Sequence, residues 1–531
     1  RNYEDITLEV LDAINQRLCG LGVRYLWTSM NNVEGSLPGN WLKWNTRCIP
    51  GGRETFIKKV GEKGFLQGFW IGPFYLCSML TDLMEHFEGA ILKNPDGSPM
   101  VVCSRWDHGD AGRLAKKDRP CLYALDPSHP KVLAYIREVF ETYRRWGVRY
   151  YMVDFLEAGA GNIHRFPYTG HYDQSLVAGP EVYTRFLRAM KSAAGEDAYL
   201  LSSSGPSLHH AGILDGVRTG NDFGEGRPLS PDAFFYPATT VINNLAFWTG
   251  PQYALINQAA YYHTHRKLFL NDSGNVLTVD KPIPLSHARI AATLHAFSGG
   301  PTMLGDDIRT IDDERLSLIK KTLPRSRDVG RPIDLFDSPK PAGPRVFLRH
   351  IEKSWGSFDV LAIYNLEKKP LDITVDLMKM KLDSDREYLV WDFWNEAFIG
   401  KTKGSLEVIV SPESVTVLRL TENVGHPTLL GTDMHVMMGE MEIPEYSYDA
   451  GSMICRLKAN RPADPRGMVF VYAPDTVYIK NFDGLHIARD GTDNSLVIGV
   501  PLVFDAGGIA EREIRFGNLQ EALDMARQNL A

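Results

Sequence analysis

Up to about residue 325 the apolar positions follow two alternating rhythms. Short β-branched and aromatic runs such as "VRYLWTS" (23–29), "GFLQGFWIGPF" (64–74) and "VRYYMVDF" (148–155) read as buried strands. Between them lie helical stretches. The chain begins in one, "RNYEDITLEVLDAINQRL". In "DPSHPKVLAYIREVFETYRRWG" the apolar positions Val132, Ile136, Val139, Phe140 and Tyr143 keep helical spacing. Ser128 is placed to cap this helix, Pro130 suits its first turn and Gly147 ends it. "PEVYTRFLRAMKSAAG" repeats the pattern between Pro180 and Gly195, and "AYLLSSSG", "GVRTGND" and "PTMLGDDI" close further strands. Strand and helix in alternation over some 300 residues predict a (β/α)8 barrel of the TIM type. After "KTLPRSRDVGRP" the helical rhythm stops. "FDVLAIYNL", "LDITVDL", "REYLVWDFW" and "SLEVIVSPESVTVLRLTE" predict an antiparallel β-sandwich. "NVGHP" reads as a joint before a second small β domain, closed by the helix "LQEALDMARQNLA". The expected division is 1–328 for the barrel, 329–423 for the sandwich and 424–531 for the last β domain.

Composition narrows the classes of function. The 531 residues are 44% hydrophobic and 23% charged, as in a globular protein, with a net charge of -7. That charge speaks against nucleic acid or an anionic membrane as the main partner. The six cysteines are scattered without a CxxC pair, so they define neither a disulfide framework nor a zinc site. No apolar run reaches membrane-spanning length and no signal peptide is visible, which leaves cytoplasmic and secreted or periplasmic placement both open. Because the chain opens at Arg1 inside a helical pattern, further sequence upstream is expected.

In a β/α barrel the chemistry sits at the carboxyl ends of the strands. There the sequence places Asp154 after "YYMV", Ser202–Ser204 after "YLL", Arg218 and Asp222 in "GVRTGND", Asp272 in "LFLNDSGNVL", and Asp306 and Asp307 after "TMLG". It offers no GxSxG elbow, no HExxH and no GxGxxG after the first strand. Two carboxylates across a polar and aromatic site fit glycoside hydrolysis; a retaining enzyme holds them about 5–5.5 Å apart, one as nucleophile and one as acid/base. Arg218, four residues before Asp222, suits a sugar hydroxyl and favours ionised carboxylates nearby. Capping of helices and pairing with arginine are the ordinary roles of such aspartates.

These stretches resemble glycoside hydrolase clan D, and most of all family 36, the α-galactosidase and raffinose-synthase group. "YALDPSHPKV…FETYRRWGVRYYMVDFLEAG" is similar to the segment carrying the nucleophile, and "YLLSSSGPSLHHAGILDGVRTGNDF", with its R-x-x-x-D spacing, to the segment ending in the acid/base. "GFLQGFWIGPF", "LFLNDSGNVL" and "LHAFSGGPTMLGDDI" resemble further strands of that barrel. The resemblance implies Asp154 as nucleophile, Asp222 as acid/base, Arg218 at the sugar's 2-position, a retaining mechanism, and no metal or other cofactor. Two places depart from it. Ser29 and Met30 stand where paired aspartates hold galactose hydroxyls, and Met152 replaces a lysine two before the nucleophile. Members usually also carry an N-terminal β-sandwich, which these residues do not include.

Several residues complete the expected site. Trp27 and Asn31, with Asn32, line it from the first strand, with a turn as the alternative for the asparagines. Trp70 stacks on the sugar or packs in the barrel wall, Glu157 contacts substrate or supports a residue that does, and Ser204 belongs to the serine run. Asp272 holds a hydroxyl or orients Asp222 or Arg218. His263 and His265 form an HxH pair, but they lie late in the chain and before a strand, which speaks against a metal role. His435 is read as structural, and "RWDHGD" (105–110) as a loop over the mouth or an ordinary solvated loop. The expectation is a retaining, exo-acting α-glycosidase, α-galactosidase-like or α-N-acetylgalactosaminidase-like, acting on an oligosaccharide or glycoconjugate. A raffinose-synthase-type transglycosidase and a non-catalytic sugar-binding barrel are the alternatives, and homo-oligomerisation is left open.

Overall fold

The computed structural model describes residues 2–159, 171–173, 175, 180–205, 207–220, 254–274, 276–338, 343–490 and 493–530. It has a TIM-type barrel followed by antiparallel β-sheets. The barrel wall is a six-stranded parallel sheet of β1 (Tyr25–Thr28), β2 (Leu66–Ile71), β6 (Val148–Val153), β7 (Tyr199–Ser202), β8 (Gly216–Arg218) and β9 (Leu270–Asp272). A separate parallel pair is formed by β10 (Val276–Leu277) with β11 (Met303–Leu304). β9 and β10 follow one another without a helix, so the alternation breaks there.

Helices α1 (Tyr3–Arg17), α2 (Arg53–Glu62), α3 (Pro130–Trp146), α4 (Pro180–Ala194), α5 (Leu285–Ser298) and α6 (Asp313–Thr322) belong to the barrel. The apolar stripe of α3 becomes its buried face: Val132, Ile136, Val139, Phe140 and Tyr143 are all buried. Tyr143 meets Phe69 of β2 edge-on at 5.0 Å, and its hydroxyl donates to the Trp41 carbonyl at 2.7 Å. Gly147 caps α3 with φ 97°, a left-handed conformation that favours glycine. The cap at the other end differs from expectation. His129, not Ser128, accepts the Lys131 N–H, because the Ser128 N–H and hydroxyl both donate to Asp126 Oδ1, at 2.8 and 2.7 Å.

The connection from β2 to β6 carries a three-stranded antiparallel sheet that the sequence pattern did not reveal: β3 (Tyr75–Cys77), β4 (Val101–Cys103) and β5 (Leu122–Ala124). It follows the carboxyl end of β2, on the face where catalytic loops gather. Its loop is tied to the loop after β1, since Trp106 Nε1 donates to the Ser36 carbonyl at 3.1 Å and Arg47 pairs with Asp110 at 2.8 Å.

Beyond the barrel an eight-stranded antiparallel sheet spans Arg331–Glu422. Two four-stranded antiparallel sheets follow between Thr428 and Asn518, and a helix at Leu519–Leu530. One apolar core joins α5 to the eight-stranded sheet, with Ile290 and Leu294 beside Phe347, Val360 and Val417. Trp394 Nε1 donates to Thr293 Oγ1 at 3.2 Å, and Arg461 donates to the Leu323 and Lys320 carbonyls at 2.7 and 2.6 Å. These contacts fasten the β region to the last two helices of the barrel.

Candidate active site

Alternation along each strand decides which side chains enter the barrel. Tyr150, Met152 and Asp154 share one face of β6 and its end, while Tyr151 turns outward onto Phe140 of α3, with ring centroids 5.0 Å apart. Parallel register carries the inward set across the sheet: Trp27 lies opposite Gly68, Trp70 opposite Met152, Tyr150 opposite Tyr199, and Arg218 opposite Asp272. A tyrosine layer fills the lower interior. Tyr25 and Tyr150 rings are 5.6 Å apart, Tyr150 and Tyr199 5.8 Å. Glycine makes room for it: a Cβ at Gly68 would fall 2.5 Å from Tyr150, and one at Gly216 2.0 Å from the Tyr199 hydroxyl. The polar groups stand above this floor, toward the carboxyl ends.

Asp154 is half-buried directly after β6, and its N–H donates to the Ile71 carbonyl at 2.8 Å. Each carboxylate oxygen accepts one donor. Oδ2 takes the Trp70 indole N–H at 3.0 Å, and Oδ1 takes the Phe155 N–H at 2.8 Å. The second bond depends on Phe155 standing in the left-handed region, φ 53°, a conformation that costs a non-glycine residue about 1–2 kcal/mol. Aromatic packing holds it there. Phe155 stacks on Tyr75 at 4.4 Å and 8° and meets Trp70 edge-on at 5.5 Å. Burial pushes the Asp154 carboxyl above the ordinary range. The Phe155 N–H, the Trp70 indole and the Arg218 charge pull it back, and Glu157 pushes it up further.

Ser203 and Ser204 join Asp154 to the opposite wall. The Ser203 N–H donates to the Val153 carbonyl at 2.8 Å, and its hydroxyl accepts from Arg218 Nη1 at 2.9 Å. Ser204 Oγ accepts the Leu156 N–H at 2.8 Å, fixing the turn that follows Asp154. Arg218 is buried at 7% exposure, and its register partner Asp272 at 3%. Burial raises Asp272 to about 7, against the pull of Arg218, the Gly274 N–H and Arg325.

The structure therefore brings together Asp154, Trp70, Glu157, Ser204, Arg218 and Asp272, with Trp27 on the same interior row. Asn31 is placed differently: it is buried, and its amide engages the Tyr3 hydroxyl of α1. Asn32 is buried with neither amide atom partnered. Met30, at 1% exposure, belongs to the apolar core. Trp70 is neither an exposed platform nor plain packing, because its N–H is spent on Asp154. His265 uses both ring nitrogens, on the Arg327 carbonyl and the Asn271 N–H, and His435 uses both on the Pro324 carbonyl and the Met437 N–H. Asp222 lies outside the described residues. Among the described residues no cluster of His, Cys, Asp and Glu could hold a metal. Phe155 and Tyr75 were not singled out from the sequence, where an aromatic beside a strand-end aspartate carries no distinctive signal.

No protein-family model matches the chain. Its fold does match solved enzymes. An α-galactosidase I from Mortierella vinacea aligns with a TM-score of 0.52 at 15% identity, over 79% of this chain and 93% of that one. A GH27 β-L-arabinopyranosidase from Geobacillus stearothermophilus, in complex with arabinose, aligns with a TM-score of 0.54 at 14% identity, over 79% and 94%. An α-galactosidase from Saccharomyces cerevisiae aligns with a TM-score of 0.50 at 12% identity, over 79% and 94%. The chain shares the fold of these glycosidases. The arabinopyranosidase is a family 27 enzyme, whereas the sequence motifs resemble family 36.

Proposed function

We propose that the chain is a retaining, exo-acting α-glycosidase of the α-galactosidase-like kind, working by double displacement. One observation carries this reading: a strand-end carboxylate at the mouth of a barrel, with one donor fixed on each oxygen and an arginine nearby. Two donors aim the Asp154 carboxylate and favour its ionised form, which is what a nucleophile on an anomeric carbon requires. In the first step an Asp154 oxygen bonds to that carbon as the glycosidic bond breaks. Asp222, assigned by the resemblance of its segment to the one ending in the family's acid/base, gives a proton to the leaving oxygen. In the second step Asp222 takes a proton from water, whose oxygen displaces Asp154 and restores its carboxylate. Arg218, held by Ser203, is the cation of the site and the group proposed to meet a sugar hydroxyl. Sugar identity is a separate matter, because the residues that resemble galactose-holding positions are altered at Ser29, Met30 and Met152.

The test is release of 4-nitrophenol from its α-galactoside, N-acetyl-α-galactosaminide, β-L-arabinopyranoside and α-glucoside, by wild type, Asp154→Ala and Asp222→Ala. Turnover of at least one compound, abolished in Asp154→Ala, is expected. The loss in Asp222→Ala should be milder, because nitrophenol leaves with little acid help. Turnover that survives Asp154→Ala would remove the assignment.

A further inference from the structure

Four charged groups alternate in sign across the barrel interior. Asp154 stands at the end of β6, Arg218 on β8, Asp272 on β9, and Arg325 after α6. Arg325 is committed elsewhere: it donates to the Gly300 carbonyl at 2.9 Å, to Ser298 Oγ at 2.7 Å and to the His295 carbonyl. Asp272 is the acidic neighbour in register with Arg218. Its backbone is locked there, since the Thr219 N–H and hydroxyl both donate to the Asp272 carbonyl at 2.8 Å. Its Oδ1 accepts the Gly274 N–H at 3.1 Å. The groups facing it are Tyr150 from β6, Tyr199 from β7, Arg218 from β8 and Arg325. His295 of α5 stands just behind, in contact with Ser273 Oγ and kept neutral by burial.

We propose that Asp272 is a positioning residue of this site: its buried carboxylate is the counter-charge that holds the Arg218 guanidinium against Ser203, and so near Asp154. The inference rests on the glycosidase reading for its purpose, while the register of Asp272 with Arg218 is independent of it. An acid kept only for stability would gain from the cation beside it. Here burial outweighs both arginines, so the ionised form is a net burden on the fold. A charge that burdens the fold while facing the cation of a candidate active site fits a functional role better than a structural one.

The test is a double-mutant cycle with a pH axis, using wild type, Asp272→Asn, Arg218→Met and the double variant. Unfolding in urea is followed by tryptophan fluorescence at pH 5 and pH 8. The coupling between the two positions should reach about ten-fold or more in the unfolding equilibrium at pH 8 and shrink toward unity at pH 5, where Asp272 is protonated. A packing role would give the same coupling at both pH values; that result, or none at either, overturns the proposal. A kinetic arm uses the best 4-nitrophenyl glycoside of the panel above. Asp272→Asn should lose about ten-fold or more in kcat/KM at pH 7, together with the inflection near neutrality, and Asp272→Glu should regain part of it. A pH profile superimposable on that of wild type also overturns it. If wild type turns over no glycoside, the glycosidase reading falls while the cycle still decides whether the pair exists.

Discussion

Replacing Trp70 by phenylalanine isolates one bond. The indole ring packs against Trp41 at 6.0 Å and Phe155 at 5.5 Å, and phenylalanine keeps an aromatic ring between them. What is lost is the Nε1–H···Oδ2 bond of 3.0 Å, one of two donors on the Asp154 carboxylate. A hydrogen bond to a charged group contributes about 1.5–3 kcal/mol. Burial already pushes Asp154 upward, and this donor is among the groups opposing that push, so its removal moves the carboxyl further in the same direction. With Asp154 as the proposed nucleophile, ionisation then comes only at higher pH, and the acid limb of the kcat/KM profile shifts to higher pH. Because the bond also aims the proposed attacking group, kcat/KM at neutral pH should fall by about 10- to 100-fold, at about 1.4 kcal/mol per factor of ten. The assay is a pH series of 4-nitrophenol release by wild type and Trp70→Phe, with circular dichroism confirming the fold. An acid limb that stays in place would refute the assignment of Trp70 as the group that tunes Asp154.

Three further outcomes follow from the interior. Asp272, lifted from 3.8 to about 7, favours its protonated state when folded, so this advantage is complete below about pH 4 and lost as pH rises through about 7. At about 1.4 kcal/mol per pH unit, Asp272→Asn should therefore gain up to about 4 kcal/mol of stability at pH 8 and almost none at pH 4, read from urea midpoints at the two values. Gly216→Ala would drive a methyl to 2.0 Å from the rigid Tyr199 ring's hydroxyl; a loss of about 1–3 kcal/mol in thermal unfolding is expected, with Gly212→Ala unsuitable as a control because its φ is 73°. Trp106→Phe removes the 3.1 Å bond that ties the small sheet's loop to Ser36, and should lower stability by about 1 kcal/mol while the loop becomes more open to limited proteolysis.

Much of the fold was legible because its elements are amphipathic in simple ways. The α3 stripe from Val132 to Tyr143, its stop at Gly147 and the strand ending at Asp154 all lie where the spacing predicts them. The small sheet of β3, β4 and β5 was not legible, since three-residue strands are too short to show a period. Ser128 was misread as a cap because its competing acceptor, Asp126, is visible only once the loop is folded.

The site divides along the same line. Parity along a strand places Tyr150, Met152 and Asp154 on one face, and strand ends place Asp154 and Arg218 at the working end of a barrel. What each inward group does depends on its neighbour one strand away, and that is set by register. Trp70 and Asp154 are 84 positions apart, yet β2 and β6 pair so that the indole N–H meets the carboxylate. Arg218 and Asp272 are 54 positions apart and become neighbours through β8 and β9. Burial, which makes the first carboxylate tunable and the second a burden, likewise exists only after the barrel closes. A sequence can therefore name the acids of such a site, while their charge at neutral pH is a property of the wall around them.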